Sequence, residues 1–279
     1  MTETTLAGKT ILMSGGSRGI GLAIALRAAR DGANIALLAK TDTPHPKLEG
    51  TIHTAAEQIR AAGGQALPVV GDVREDDDIA AAVMKTRGEF GGIDIVINNA
   101  SVIDLSGSAE LTAKKYDLMQ DVNVRGTFML SRAALPMLAD AANPHILSLS
   151  PPLNASARWL GAHTAYTMAK YGMTMATLGM AAEFASAGIA ANTLWPETTI
   201  ATAAVQYSLG GERMMRASRT PEVYADAAYE VLRKPAREYT GRTLIVEQVL
   251  RDAGVTDFSR YAAVPGTPDA ELFPDIFLD

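Results

Sequence analysis

The 279-residue sequence contains no cysteine, which excludes disulfides, zinc-thiolate centres and cysteine nucleophiles. Histidine is scarce as well: the four present, His45, His53, His145 and His163, have no metal-ligand spacing, so no metal is expected. Basic residues show no excess, with 25 Lys and Arg against 31 Asp and Glu, a net charge of −6 and the two signs interspersed. Phosphate-backbone binding needs clustered Lys and Arg, so nucleic acid is not an expected partner. No run reaches the ~18 uninterrupted apolar residues needed to span a bilayer. The N-terminal "MTETTLAGK" has neither the basic start nor the apolar run of a signal peptide. The expectation is a soluble protein of the reducing cytoplasm.

What is abundant is apolar material, 48 % of the chain, enough for a packed core. It recurs in short runs: "TILMS" (10–14), "NIALLA" (34–39), "ALPVV" (66–70), "IDIVIN" (93–98), "HILSLS" (145–150), "GIAANTL" (188–194) and "RTLIVE" (242–247). Apolar residues are consecutive within these runs rather than alternating, as in parallel strands covered on both faces. Amphipathic stretches at 20–31, 53–62, 75–89, 112–140 and 163–186 separate them. This alternation predicts an α/β fold, a doubly wound parallel sheet of about seven strands with helices on both faces. No repeat or linker divides residues 1–279, which read as a single domain. "TDTPHPKLEG" (41–50) is expected to be a loop. The tail at 248–279, with scattered Pro, Gly and Asp and apolar anchors at Phe273 and Phe277, is expected to wrap the surface or reach a neighbouring subunit.

"SGGSRGIG" (14–21) stands between the first strand and the first helix. Gly15, Gly19 and Gly21, spaced G-x3-G-x-G, permit a tight turn and close approach of backbone to a pyrophosphate at the positive end of the helix. Gly16, Ser17 and Ile20 complete this candidate cradle. The second strand ends "LLAK", without the acid that would bind a ribose 2′-hydroxyl. Lys40 there and Arg18 in the loop are two cations, which favours NADP(H); Asp42 is the opposing feature. In "GDV" (71–73), Asp72 follows the third strand and precedes the acidic helix start "REDDD", for which it is a candidate cap.

Tyr166 and Lys170 lie four apart in a helical stretch and project from one face. A free phenol titrates near ~10, and a neighbouring ammonium lowers that value toward the working pH of an acid/base catalyst. Asn123 in "DVNVRG" occupies the interior of the preceding helix, where an amide competes for backbone hydrogen bonds.

The glycine spacing followed by Tyr-x-x-x-Lys resembles the short-chain dehydrogenase/reductase family over roughly residues 6–250. Within it, the branch of hydroxysteroid dehydrogenase-like protein 2 is the nearer resemblance. That likeness is carried by "AKTDTPHPKLEGTIHTAAE", "ILSLSPPLN", "AYTMAKYGM", "LGMAAEF", "NTLWPETTI" and "FLD". Animal members of that branch carry a further sterol-carrier-like domain, and the expectation here is a catalytic domain without it.

The resemblance implies a Rossmann-type, dinucleotide-binding catalytic domain that interconverts a carbonyl and an alcohol. It implies that Tyr166 is the acid/base and that Lys170 tunes it and holds the nicotinamide ribose. Asn123 would hold a water of the proton relay, Asp72 would bind adenine, Asn99 in "NNAS" would lie beside the ribose, and Thr199 would contact the carboxamide. The family's glycine after Asn-Asn-Ala is Ser101 here. The usual catalytic serine would fall thirteen residues before the tyrosine, where this chain has Leu153. Aligning the strand end selects Ser150, with Ser156 and Asn154 as alternatives. "WPETT" (195–199) replaces the usual Pro-Gly, and Glu197 either binds a polar substrate or faces solvent. Trp159 and Trp195 either line an apolar, lipid-like substrate pocket or anchor loops. A homo-oligomer, dimer or tetramer, is also implied. Two other readings stand beside the carbonyl reductase: a nucleotide-binding sensor with little or no turnover, and reduction of an enoyl thioester.

Overall fold

The computed structural model describes residues 5–46 and 48–279; residues 1–4, on which part of the N-terminal reading rests, and Lys47 of the 41–50 loop lie outside them. The chain runs β1 (Thr10–Ser14), α1 (Gly19–Ala29), β2 (Asn34–Ala39), α2 (Ile52–Ala61), β3 (Gln65–Val70), α3 (Asp76–Phe90) and β4 (Ile95–Asn98). It continues with α4 (Ala113–Met119), a π-helical turn (Gln120–Arg125), α5 (Gly126–Asp140), β5 (His145–Ser148), α6 (Ala157–Ala162) and α7 (Thr164–Glu183). After β6 (Ala190–Trp195) come α8 (Ala203–Ser208), α9 (Gly211–Arg216), α10 (Pro221–Leu232), β7 (Thr243–Ile245) and α11 (Val246–Asp252).

The strands form one sheet in the order β3-β2-β1-β4-β5-β6-β7, parallel at every pairing. Successive side chains of a strand point to opposite faces, which explains the unbroken apolar runs. Ile11 and Met13 of β1 join the core beneath α1, α2 and α10, whereas Leu12 joins the one beneath α3, α5 and α7. Pro68, which cannot donate to a ladder, sits in β3 at the edge of the sheet. The connections reverse direction at β1, whose neighbours are β2 and β4. In an open α/β sheet the crevice beyond the carboxyl ends at this reversal is where ligands bind.

Three sequence expectations change. The stretch 112–140 is two helices joined by the π-helical turn that contains Asn123. The strand expected at 242–247 ends at Ile245, because Val246, Val249 and Leu250 recur at helical spacing and bury one face of α11. Residues 203–232 carry three helices that the amphipathic pattern did not mark.

Candidate active site

The β1–α1 turn needs its glycines. Gly15, Gly16 and Gly19 have φ of 79°, 93° and 59°, a left-handed conformation that costs a residue with a Cβ. Space is equally restrictive: a Cβ on Gly15 or Gly21 would come within 2.5 Å of Asn99 Nδ2. Asn99 is held in turn by β1, its Nδ2 donating to Ser14 O at 3.1 Å. The result is a cradle of backbone that side chains would otherwise fill, opening into a cavity of about 430 Å³. Gly15, Gly16, Ser17, Arg18, Gly19 and Ile20 line it, and Gly21 packs behind. The shape fits the pyrophosphate of a dinucleotide.

At the far end of this cavity lie Lys40 and Asp72. Arg18 donates from Nη2 to Gly50 O at 2.8 Å, while its Nε is buried without a partner, an N–H left for a ligand. Lys40 Nζ is 3.2 Å from Asp72 Oδ2. Asp72 also accepts from Arg74 Nη2 at 2.7 Å and Nε at 3.0 Å. Burial favours its neutral form, but the bonds from Arg74 and Lys40 prevail and hold its carboxyl down to about 2. The Asp72 side chain, still in the cavity wall, is thus engaged by two cations and by the Arg74 N–H, which Oδ1 accepts at 3.1 Å just ahead of α3. It caps no backbone in α3, whose start is bonded through Asp78 Oδ2 to the Asp72 N–H at 2.7 Å.

A second cavity, about 360 Å³, adjoins the first, and Ile20, Asn99, Ser101, Thr202 and Ala204 line both. Its walls include Ile103, Leu105, Leu149, Trp195, Val205 and Met214, with Tyr166 and Lys170 among them. Both side chains come from one face of α7 and are 4 % exposed. Lys170 donates to Leu149 O at 2.9 Å and lies 5.2 Å from the Trp195 ring centroid. Burial lowers it to about 7, against the pull of Asp275. Burial, reinforced by Asp275, pushes the Tyr166 phenol up, and a hydrogen bond from Ser101 opposes this. In the cofactor-free chain the expected lowering of the phenol is therefore absent, because desolvation outweighs the polar contacts.

Asn123 is fully buried in the π-helical turn, an insertion found frequently at functional sites. Its amide is spent on the backbone of Val102, accepting from the N–H at 2.8 Å and donating to the carbonyl at 2.9 Å. The side chain fixes the segment after β4 and keeps one amide N–H and one Oδ1 lone pair uncommitted. Thr199 does line the second cavity, its hydroxyl paired with Ser218 Oγ at 2.7 Å.

The strand-end serine is not where the sequence alignment put it. Ser150 is fully buried, accepts from Thr174 Oγ1 at 2.9 Å, and is absent from the cavity wall. Thr174 lies two turns along α7 from Tyr166, so the Ser150 hydroxyl is bonded to the helix well past the phenol. Neither Ser156 nor Asn154 lines the cavity: Ser156 precedes α6 and Asn154 donates to Asp279 Oδ2 at 2.8 Å. Glu197 takes the solvent-facing course rather than the substrate one: it is absent from the cavity wall, and its carboxylate, 36 % exposed, pairs at the surface with Arg251 at 2.6 and 2.8 Å.

The tail folds back onto its own chain. Phe273 O accepts from Thr199 N at 2.9 Å, Asp275 N donates to Glu197 O at 2.9 Å, and Ile276 O accepts from Trp195 Nε1 at 2.9 Å. Phe277, 1 % exposed, is caged by the rings of Trp159, Tyr166, Tyr171 and Trp195. Trp159 also donates to Asp279 Oδ1 at 3.1 Å. Pro274, Asp275 and Ile276 thereby become wall of the second cavity. Burial raises the Asp275 carboxyl to about 7, with the Ile276 N–H opposing.

Two site residues escaped the sequence reading. Ser101 was visible only as a substitution for glycine, although a hydroxyl appearing as the strand-end hydroxyl is displaced was a usable signal. Asp275 carried no local signal, because only tertiary folding brings it to Tyr166.

Residues 9–210 match the short chain dehydrogenase family. Hydroxysteroid dehydrogenase-like protein 2 of Danio rerio is 53 % identical over 274 residues, covering 98 % of this chain and 65 % of that protein. Its Homo sapiens counterpart is 52 % identical, with 98 % and 64 % covered. This chain thus spans just under two thirds of these relatives. A short chain dehydrogenase from Mycobacterium thermoresistibile has the same architecture, with a TM-score of 0.92, 58 % identity, and coverage of 99 % of this chain and 96 % of that one.

Proposed function

The chain belongs to the short chain dehydrogenase family, in the branch of hydroxysteroid dehydrogenase-like protein 2, and from that membership we propose an NADP(H)-dependent oxidoreductase that interconverts a carbonyl and an alcohol. Members of this family use a nicotinamide cofactor, which supplies or accepts the hydride when bound. The observation that carries the reading is the junction of two cavities, a glycine cradle on one side and an apolar chamber holding Tyr166 and Lys170 on the other.

Each residue has a task. Gly15, Gly16, Ser17, Gly19 and Ile20 hold the pyrophosphate, and Lys40 with the unpartnered Nε of Arg18 takes the 2′-phosphate. Asn99 and Lys170 hold the nicotinamide ribose, and Thr199 the carboxamide. Tyr166 gives its phenolic proton to the substrate oxygen during reduction and takes it back during oxidation. Lys170 stabilises the phenolate once the chamber is filled and dry. Ser101, which shares the chamber wall with Tyr166 and lowers its phenol, orients the substrate oxygen in place of Ser150. Asn123 acts indirectly, by fixing the segment that carries Ser101 and Ile103. The chamber walls suit an apolar substrate, and the exposed Met168 and Met175 of α7 suit a homo-oligomer contact.

The test is NADPH and NADH consumption by the purified protein against aliphatic, aryl and alicyclic ketones and aldehydes. Turnover with NADPH preferred supports the reading. Tight NADPH binding without turnover on any compound would replace it with a nucleotide-binding sensor.

A further inference from the structure

Resting on the oxidoreductase reading, we infer that Asp275 is a specificity-determining residue, accepting a hydrogen bond from a substrate hydroxyl next to the reacting carbonyl and turning away substrates with an anion there. Among the described residues lining the substrate cavity, Asp275 is the only acid and Lys170 the only base. The rest of the wall is apolar or carries neutral hydroxyls and an amide. A carboxyl in such surroundings demands a hydrogen-bonding partner, since an unpaired one is costly. One oxygen has a partner, Oδ1 accepting from the Ile276 N–H at 2.7 Å. Oδ2 accepts no hydrogen bond from the described residues, and it belongs to a side chain in the cavity wall beside Tyr166 and Lys170.

The carboxyl is held in place rather than dangling. Its own N–H donates to Glu197 O, the preceding residue bridges to Thr198, and the following residue accepts from Trp195 Nε1. Phe277 locks the next position into the aromatic cage. Glu197 is fixed in turn by Arg251. These anchors together hold one acceptor in the wall that also carries Tyr166 and Lys170. The substrate class this selects is an apolar α-hydroxy ketone or its diol. At a pH where Asp275 is ionised, a keto acid would bring a second negative charge against it inside a low-dielectric chamber, where like charges repel strongly.

Three aryl ketones differing at one group form the test: acetophenone, phenacyl alcohol, and benzoylformate as the anion. Binding is measured by titration calorimetry without added cofactor, for the native protein, Asp275→Asn and Asp275→Leu, after circular dichroism shows each to be folded. The native protein is expected to bind phenacyl alcohol roughly tenfold tighter than acetophenone, the effect of one charge-assisted hydrogen bond, and benzoylformate weakest. Asp275→Leu should erase the hydroxyl preference. Asp275→Asn, which keeps an acceptor but loses the charge, should retain part of it and gain benzoylformate binding. A native protein without the preference, or a preference unchanged in Asp275→Leu, overturns the inference. The oxidoreductase reading is judged separately, by NADPH oxidation with the same ketones, so turnover can fail while the calorimetry still decides on Asp275.

Discussion

The rings of Tyr166 and Phe277 stack with centroids 6.1 Å apart and planes 27° from parallel. A residue near the end of the chain thus sets the position of the phenol proposed to move the proton. Phe277 does so from a left-handed backbone, φ 75°, which a side-chain-bearing residue adopts only when its surroundings hold it.

Removing the phenolic oxygen isolates the proton-transfer step. Tyr166→Phe keeps the ring stack and is expected to lower kcat by roughly 10²-fold or more, in line with general acid–base contributions. NADPH affinity, followed by fluorescence titration, should change little. Full activity in this variant would end the mechanism.

The two serines give opposite expectations. Ser101→Ala should lower kcat by about tenfold or more while leaving thermal stability near the native value, because its exposed hydroxyl lines the chamber that holds Tyr166. Ser150→Ala should leave the rate intact and cost about 1 kcal/mol of stability, the worth of a buried hydrogen bond with Thr174. Steady-state kinetics and urea denaturation on the pair decide between them.

Much of this was legible in the sequence, for identifiable reasons. Consecutive apolar runs betrayed the parallel strands, and glycines constrained by both φ and space can hardly be anything but a tight strand–helix turn. Tyr166 and Lys170 were readable because helical spacing places them on one face. Local spacing fails where tertiary contacts decide. Ser150 follows the expected strand but is turned away at the strand exit, ahead of the Pro151–Pro152 pair, toward Thr174. Spacing could not show the contacts that Asn123 and Asp72 make, one with the Val102 backbone and the other with two cations and the Arg74 N–H. The tail reaches its site through contacts more than seventy residues distant in sequence, as in the Ile276–Trp195 bond, 81 residues apart.

Cofactor choice is expected to follow charge. Lys40→Ala and Arg18→Ala should each weaken NADPH by about 1 kcal/mol, roughly fivefold in Kd, with little effect on NADH. The NADPH preference should also shrink with rising salt for Lys40, which is 58 % exposed at its side chain. Competition titrations at two ionic strengths measure both effects.

Phe277→Ala empties the centre of the aromatic cage. For a fully buried phenylalanine the expected loss is about 3–5 kcal/mol, read from urea denaturation. Activity should fall with it even at temperatures where the variant remains folded, since Asp275 and Tyr166 both lose their backing.

Stability of the cofactor-free protein should dip near neutral pH. Burial raises Asp275 from 3.8 to about 7, so between those values the folded chain keeps a proton that the unfolded chain releases, and stability falls as pH rises. Burial lowers Lys170 from 10.5 to about 7, so above neutrality the unfolded chain binds the extra proton, and stability climbs with pH. Melting temperatures of the native protein and Asp275→Asn across this range check the signs: the variant should lose the decline on the acid side.

The five residues common to both cavities, Ile20, Asn99, Ser101, Thr202 and Ala204, form a party wall. Whatever presses on it from the dinucleotide side resets the surface that the substrate meets, and linkage makes that influence reciprocal. Affinities for the two ligands are therefore expected to depend on each other, which substrate titrations with and without NADPH measure.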